Sequence, residues 1–115
     1  MIGPEAFVDA SNVIPASTPS PYGHVDQVAG IARVIDRHAL EAAMERSPTL
    51  RRQMLRVVQA ALFQARQTAF VNVSFGIETR LARWRLQCHD RVAGDELLLT
   101  HEILAVMLWG FSVPA

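Results

Sequence analysis

Residues 47–71 read SPTLRRQMLRVVQAALFQARQTAFV, and this stretch decides the fold. Serine followed by proline is a helix start, because the serine oxygen accepts from unpaired amides and proline at the first helical position loses no hydrogen bond. From Thr49 to about Val71 the stretch has no Gly or Pro and many good helix formers. It predicts one long, uninterrupted helix.

One face of this predicted helix carries an apolar ridge whose members are three or four residues apart. The ridge consists of Leu55, Val58, Leu62, Ala65 and Ala69. Its small side chains suit close packing against another helix. An ordinary core helix in a monomer is the alternative, but a chain of 115 residues offers little bulk to cover so long a helix. We therefore predict that the ridge pairs with a second chain.

Shorter helices are predicted on either side of the long one. Asp36 is a suitable N-cap for a helix over Arg37–Glu45, and Thr100 for a helix over His101–Leu108. Between them, a helix from Ile77 to about Asp90 has an apolar face and an arginine edge. The apolar face is Ile77, Leu81, Trp84 and Cys88, and the edge includes Arg80, Arg83 and Arg91. Gly94-Asp95 indicates a turn.

The residues before Asp36 follow a different pattern. Residues 1–23 are rich in Gly, Pro and Ser, which predicts loops around at most one short strand near residues 6–8. Residues 25–35 are β-branched or small and alternate, which predicts a strand with a turn or bulge at Ala29-Gly30. The sequence therefore predicts an α+β fold that is mostly helical.

Charge and cysteine content limit the class of protein. Formal net charge is zero, but residues 51–91 hold eight arginines against Glu78 and Asp90. Such a block attracts phosphate, although a solvated helical face explains it as well. A single cysteine, Cys88, excludes an internal disulfide and fits a reducing cytoplasm. Without a signal peptide or a membrane-length apolar run, we expect a cytoplasmic protein with no membrane partner.

No residue pattern indicates catalysis or a metal. His38, Glu41 and Glu45 share a face of the first helix, a donor set that can bind metal, but a solvated face is the simpler interpretation because no second cluster lies nearby in sequence. No serine lies in a G-x-S-x-G motif. We therefore predict that the protein is not an enzyme and has no catalytic residue, cofactor or metal.

Residues 80–108, RLARWRLQCHDRVAGDELLLTHEILAVML, resemble the start of the DNA-binding domain in Crp/Fnr-family transcription regulators, above all in the subgroup common in rhizobia. Residues 47–69 are similar to the dimerisation helix of that family. GPEAFV (3–8) and QVAGIARVI (27–35) are similar to late strands of its effector-sensing β-roll, a domain that binds cyclic nucleotides in some members. The resemblance covers nearly the whole chain and weakens between Asp9 and His24.

The resemblance implies a dimer whose long helices pair and whose helix-turn-helix domains enter the major groove. It implies that the start of the last helix, Thr100 and His101, approaches DNA phosphate, with N-capping as the alternative role of Thr100. For Arg80 and Arg83, phosphate contact stands beside plain solvent exposure. Arg85 departs from the family, where leucine is usual, and a buried unpaired guanidinium there would be costly.

Two further departures concern the ends of the match. Residues 17–25, where cyclic-nucleotide-binding members place an arginine, contain none, so nothing supports such a ligand. The match begins inside the β-roll, and after Leu108 the sequence lacks the base-reading side chains of a recognition helix. We therefore expect a regulator truncated at both ends.

The predicted organisation has three parts: a partial β-roll (1–35), a short helix plus the dimerisation helix (36–73), and an incomplete winged helix-turn-helix domain (74–115). The predicted function is DNA-binding transcription regulation, as a homodimer or as a heterodimer with a related regulator. The alternative is a dimerisation-only fragment that pairs with itself or a full-length relative and does not bind DNA.

Overall fold

The computed structural model describes residues 3, 6–14, 18–21, 23–24, 26 and 28–109. A 3-10 helix spans Ala10–Val13, and four α-helices follow it. They are α1 (Arg37–Arg46), α2 (Pro48–Ser74), α3 (Ile77–His89) and α4 (His101–Trp109). Over the described ranges there is no strand, so the secondary structure found there is entirely helical.

The α+β prediction is wrong for these residues. Residues 6–8 form a bend and turn before the 3-10 helix, and residues 28–36 contain neither helix nor strand, while Val25 and Gln27 lie outside the described residues. Ile31 and Val34 are almost fully exposed. A strand is stable only when neighbouring strands take up its amides and carbonyls, and the described chain supplies no such neighbour. The described residues within 1–35 therefore do not form the partial β-roll that was predicted there.

The predicted helix starts are confirmed. Asp36 caps α1, because its Oδ1 accepts from the amides of His38 at 2.9 Å and Ala39 at 3.2 Å. At the start of α2 the Ser47 hydroxyl accepts from the Leu50 amide at 3.2 Å. Both interactions are local in sequence, and each satisfies amides that the first turn of a helix leaves unpaired.

The long helix is confirmed and extends slightly further than predicted. α2 has 27 residues and ends at Ser74, three residues beyond the predicted end near Val71. The Phe75 amide still donates to the Val71 carbonyl at 3.1 Å, and Gly76 is the N-cap residue of α3. The aromatic rings of Phe70 and Phe75 meet edge to face, with centroids 6.0 Å apart.

The chain divides into two compact units, and the division falls inside α2, between Arg66 and Gln67. The first unit, residues 2–66, holds α1 against the 3-10 helix and buries Val13 and Met44. The second unit, residues 67–115, holds α3 against α4. Its buried side chains are Val71, Trp84, Cys88 and Leu108. The three-part organisation suggested by the sequence stays a prediction.

Candidate functional site

The predicted dimerisation ridge on α2 faces solvent in the single chain. Leu55 is 46% exposed and Leu62 is 60% exposed. Ala65 and Ala69 are also exposed, while Val58 is half-buried. Apolar side chains exposed in a row along one helix are a feature of surfaces that another molecule covers.

The face of α2 that packs against its own chain is not the face that carries the ridge. The covered positions are Met54, Val57, Gln64, Thr68 and Val71, all of them half-buried or buried. At 100° per residue these positions lie to one side of the ridge. The ridge is therefore left free by the packing of the chain and is available to a second helix.

The other side of the ridge is basic. A shallow open groove on the first unit is lined by Arg52, Leu55, Arg56, Val58, Gln59 and Leu62. Arg52, Arg56 and Arg66 are exposed on this side, and Arg51, four residues before Leu55 and in line with the ridge, is exposed as well. None of the four is in an ion pair with any residue that the structure describes. The surface that α2 offers combines an apolar ridge with an uncompensated positive flank.

The second unit is built around Trp84. The Trp84 ring is 8% exposed and Cys88, one turn later on α3, is 5% exposed. Leu108 of α4 is equally buried, and the Arg80 guanidinium donates through Nη2 to the Leu108 carbonyl. That bond satisfies a carbonyl at the C-terminal end of α4, where a cation is also favoured by the helix dipole.

The start of α4 is capped and exposed. Thr100 Oγ1 accepts from the Ile103 amide at 3.2 Å, so the N-cap prediction for Thr100 is confirmed. Thr100, His101 and Glu102 are all exposed. An exposed helix N-terminus favours an anion, whereas the Glu102 carboxylate in the same first turn opposes one.

The arginines of the predicted edge of α3 donate hydrogen bonds within the second unit. Arg80 holds the Leu108 carbonyl, and Arg83 Nη1 donates to Thr68 Oγ1 at 3.2 Å. Arg91 Nη1 donates to the Gln87 carbonyl at 3.0 Å. Arg85 is exposed, so it is not the buried guanidinium that its place beside Trp84 suggested. Whether Arg80 and Arg83 also contact phosphate stays a prediction.

A turn joins α3 to the segment before α4. Gly94 has φ 109°, a left-handed conformation that side-chain-bearing residues rarely adopt, which confirms the predicted turn. His89 Nε2 lies 2.9 Å from Asp95 Oδ1 across it. Burial raises the pKa of the Cys88 thiol, an effect that the Arg91 guanidinium partly offsets.

His38, Glu41 and Glu45 do not assemble into a metal site. Glu41 Oε1 accepts from Arg37 Nε at 3.1 Å, and its Oε2 lies 3.7 Å from His38 Nδ1. Glu45 is exposed. No group of three or more metal-ligating side chains occurs within the described ranges.

The sequence predicts no membrane partner, and the length and polarity of the helices bear on that prediction. Among the described residues, no helix is both long enough and apolar enough to span a bilayer. α2 has the length, but it carries four arginines along Pro48–Ser74.

The chain was compared with protein families, curated proteins and solved structures. No family model, curated protein or solved structure matches the chain. The resemblance of residues 80–108 to the Crp/Fnr family therefore stays a prediction that rests on the quoted sequence. The geometry of α2, α3 and α4 can be compared with what that resemblance implies.

Proposed function

We propose that this protein is a DNA-binding transcription regulator of the Crp/Fnr type, which pairs with a second regulator chain through the α2 ridge. The observation that carries the proposal is the form of residues 80–108. The stretch that resembles the entry to the family's helix-turn-helix covers most of α3 and α4, which contact each other and are joined by residues 90–100 with a turn at Gly94.

The packing of the second unit supports this proposal. Trp84 and Cys88 on α3 and Leu108 on α4 are buried in it, and Arg80 links α3 to the end of α4. A helix held in this way has a fixed direction, which a phosphate contact at its N-terminus requires. The N-terminus of α4 is the exposed end, so its free amides are available to a phosphate.

Pairing through α2 would cover the exposed ridge and provide a second DNA-contacting unit. Two chains joined along Leu55, Val58 and Leu62 would bury two leucines that a single copy exposes and a valine that it half-buries. A symmetric pair also presents two DNA-contacting units, and regulators of this class bind two half-sites about one helical turn apart.

Dimerisation without DNA binding is the second candidate. Two observations favour it. Arg80 and Arg83 already donate to Leu108 and Thr68, which limits what they can offer to phosphate. Glu102 also places a negative charge in the first turn of α4, where it would repel the DNA backbone.

Selection from a random DNA library distinguishes the two candidates. The full chain is incubated with randomised duplexes at 50 mM NaCl, and bound DNA is recovered, amplified and sequenced. A regulator enriches a motif with two half-sites, and its affinity for that motif falls steeply at 200 mM NaCl. Pairing without any enriched motif supports the dimerisation-only candidate, and neither pairing nor enrichment contradicts both.

Thr100 gives the matched variants. Thr100→Ala removes the cap of α4, and we expect affinity for the enriched motif to fall about fivefold, since a lost N-cap costs about 1 kcal/mol. Thr100→Ser keeps the hydroxyl and should retain affinity. Thr79→Ala, at an exposed position of α3, is the control for loss of a threonine in the same unit. Equal affinity in all three variants would contradict a role for the α4 N-terminus.

A further inference from the structure

We propose that α2 pairs preferentially with a helix whose apolar ridge is flanked by glutamate or aspartate, rather than with an identical copy of itself. This inference rests on the proposed function, because it needs the ridge to pair. It adds the chemistry of the partner: an amphipathic helix of a second chain, with a negative flank.

The first observation is the composition of α2. Residues 48–74 contain Arg51, Arg52, Arg56 and Arg66 and no aspartate or glutamate. All four arginines are exposed, and no carboxylate described in the structure forms an ion pair with them. Long surface helices commonly balance such charges with i,i+4 pairs of opposite sign, and α2 has none of these pairs available.

The second observation is where the charges lie. Arg52 is three residues before Leu55, and Arg66 is four residues after Leu62, so both border the ridge. Arg52 and Arg56 also line the groove together with Leu55 and Leu62. In paired helices, residues that border the apolar seam face the bordering residues of the partner, and their charges decide which partner is chosen.

An identical copy of α2 provides nothing for these arginines to meet. The bordering positions of the copy would be arginine, glutamine or apolar, and no carboxylate is present along its whole length. A partner with an acidic flank would place carboxylates opposite Arg52 and Arg66 while still covering the ridge. Charge complementarity of this kind selects one partner and repels another.

Carboxylates elsewhere in the first unit are mostly engaged. Asp36 caps α1, Glu41 pairs with Arg37, and Asp9 lies 3.2 Å from His24. Asp26 is exposed, and so is Glu45 on α1, a carboxylate that an identical copy could bring to the interface. The experiment therefore includes a variant that removes it.

The test creates the acidic partner from the protein itself. A full-length variant with Arg52→Glu, Arg56→Glu and Arg66→Glu keeps the ridge and reverses the flank. It is mixed with the natural chain at 50 mM NaCl, and the dissociation constants of mixed and like pairs are measured by sedimentation velocity. We expect the mixed pair to be at least about tenfold tighter than the natural pair, with a smaller advantage at 500 mM NaCl because salt screens exposed charges.

Three further variants keep the result interpretable. Arg33→Glu, Arg46→Glu and Arg85→Glu together change the net charge equally at exposed positions outside α2, and this control should give no gain. Replacing the three flank arginines by glutamine should tighten self-pairing at low salt without reversing any charge. Glu45→Gln should leave the mixed preference intact.

The outcomes separate this inference from the proposed function. A natural pair that is as tight as the mixed pair and insensitive to salt overturns the acidic-partner inference and leaves pairing through α2 standing. An equal gain from the control variant also overturns the inference. If no mixture pairs at any salt concentration, both proposals fail.

Discussion

The indole of Trp84 on α3 is the largest side chain that is buried among the described residues of the second unit. Trp84→Ala would remove the ring and leave a cavity, so we expect the free energy of unfolding to fall by about 3–5 kcal/mol. Urea denaturation followed by circular dichroism at 222 nm measures this loss.

Trp84→Phe is the informative control for that substitution. The indole N–H of Trp84 is buried and has no hydrogen-bond partner among the described residues. Phenylalanine removes this donor, which is costly to leave unpaired, and keeps most of the apolar ring. We expect it to cost about 1 kcal/mol or less. If both variants lose stability equally, burial of the ring is not what holds α3 to α4.

Single residues show what the sequence could and could not predict about the site. Asp36, Ser47 and Thr100 were predictable caps, because each bonds to an amide two or three residues away. The roles of Arg80 and Arg83 were not predictable. Their acceptors lie 28 and 15 residues away, so only the packing of α4 and α2 against α3 reveals them.

Among the elements, helices were predictable and strands were not. An α-helix satisfies its backbone within itself, so spacing, caps and breakers located α1 to α4 to within a few residues. A strand depends on a neighbour, and alternation in residues 28–35 says nothing about whether one exists. The ridge has the same limitation as a strand. Its pattern predicts a face that another molecule covers, but the pattern does not identify that molecule.

Leu62 is the position at which α2 pairing is best tested. It is the most exposed leucine of the ridge, so Leu62→Asp should leave the isolated chain folded. Two paired copies would instead bury the new carboxylate, and we expect dimerisation to weaken at least about a hundredfold. Sedimentation equilibrium measures the change.

Ala60→Asp provides the matched control for that experiment. Ala60 is exposed, lies two residues from Leu62, and points away from the ridge, because positions two apart on a helix do not share a face. The control adds the same charge to the same part of α2 and should leave dimerisation unchanged. Equal losses in both variants would contradict pairing through the ridge, and so would a natural chain that stays monomeric both alone and when mixed with the variant carrying Arg52→Glu, Arg56→Glu and Arg66→Glu.

At the scale of the whole molecule, neither unit has a large apolar interior of its own. Only six hydrophobic side chains are buried among the described residues, two in the first unit and four in the second. Domains of about sixty residues or fewer are already marginal when they fold alone. We therefore expect the stability of each unit to depend on a partner that covers the exposed apolar residues of α2.

This dependence predicts that thermal stability rises with protein concentration. Association that favours the folded state over the unfolded state stabilises it by mass action, and a hundredfold increase in concentration contributes about 2.7 kcal/mol per dimer. For a chain of this size the midpoint of unfolding should rise by about 5 °C. Circular dichroism melts at 2 μM and 200 μM measure the shift, and Leu62→Asp should abolish it. A natural chain whose midpoint is the same at both concentrations would show that each unit is stable without an identical copy on the ridge.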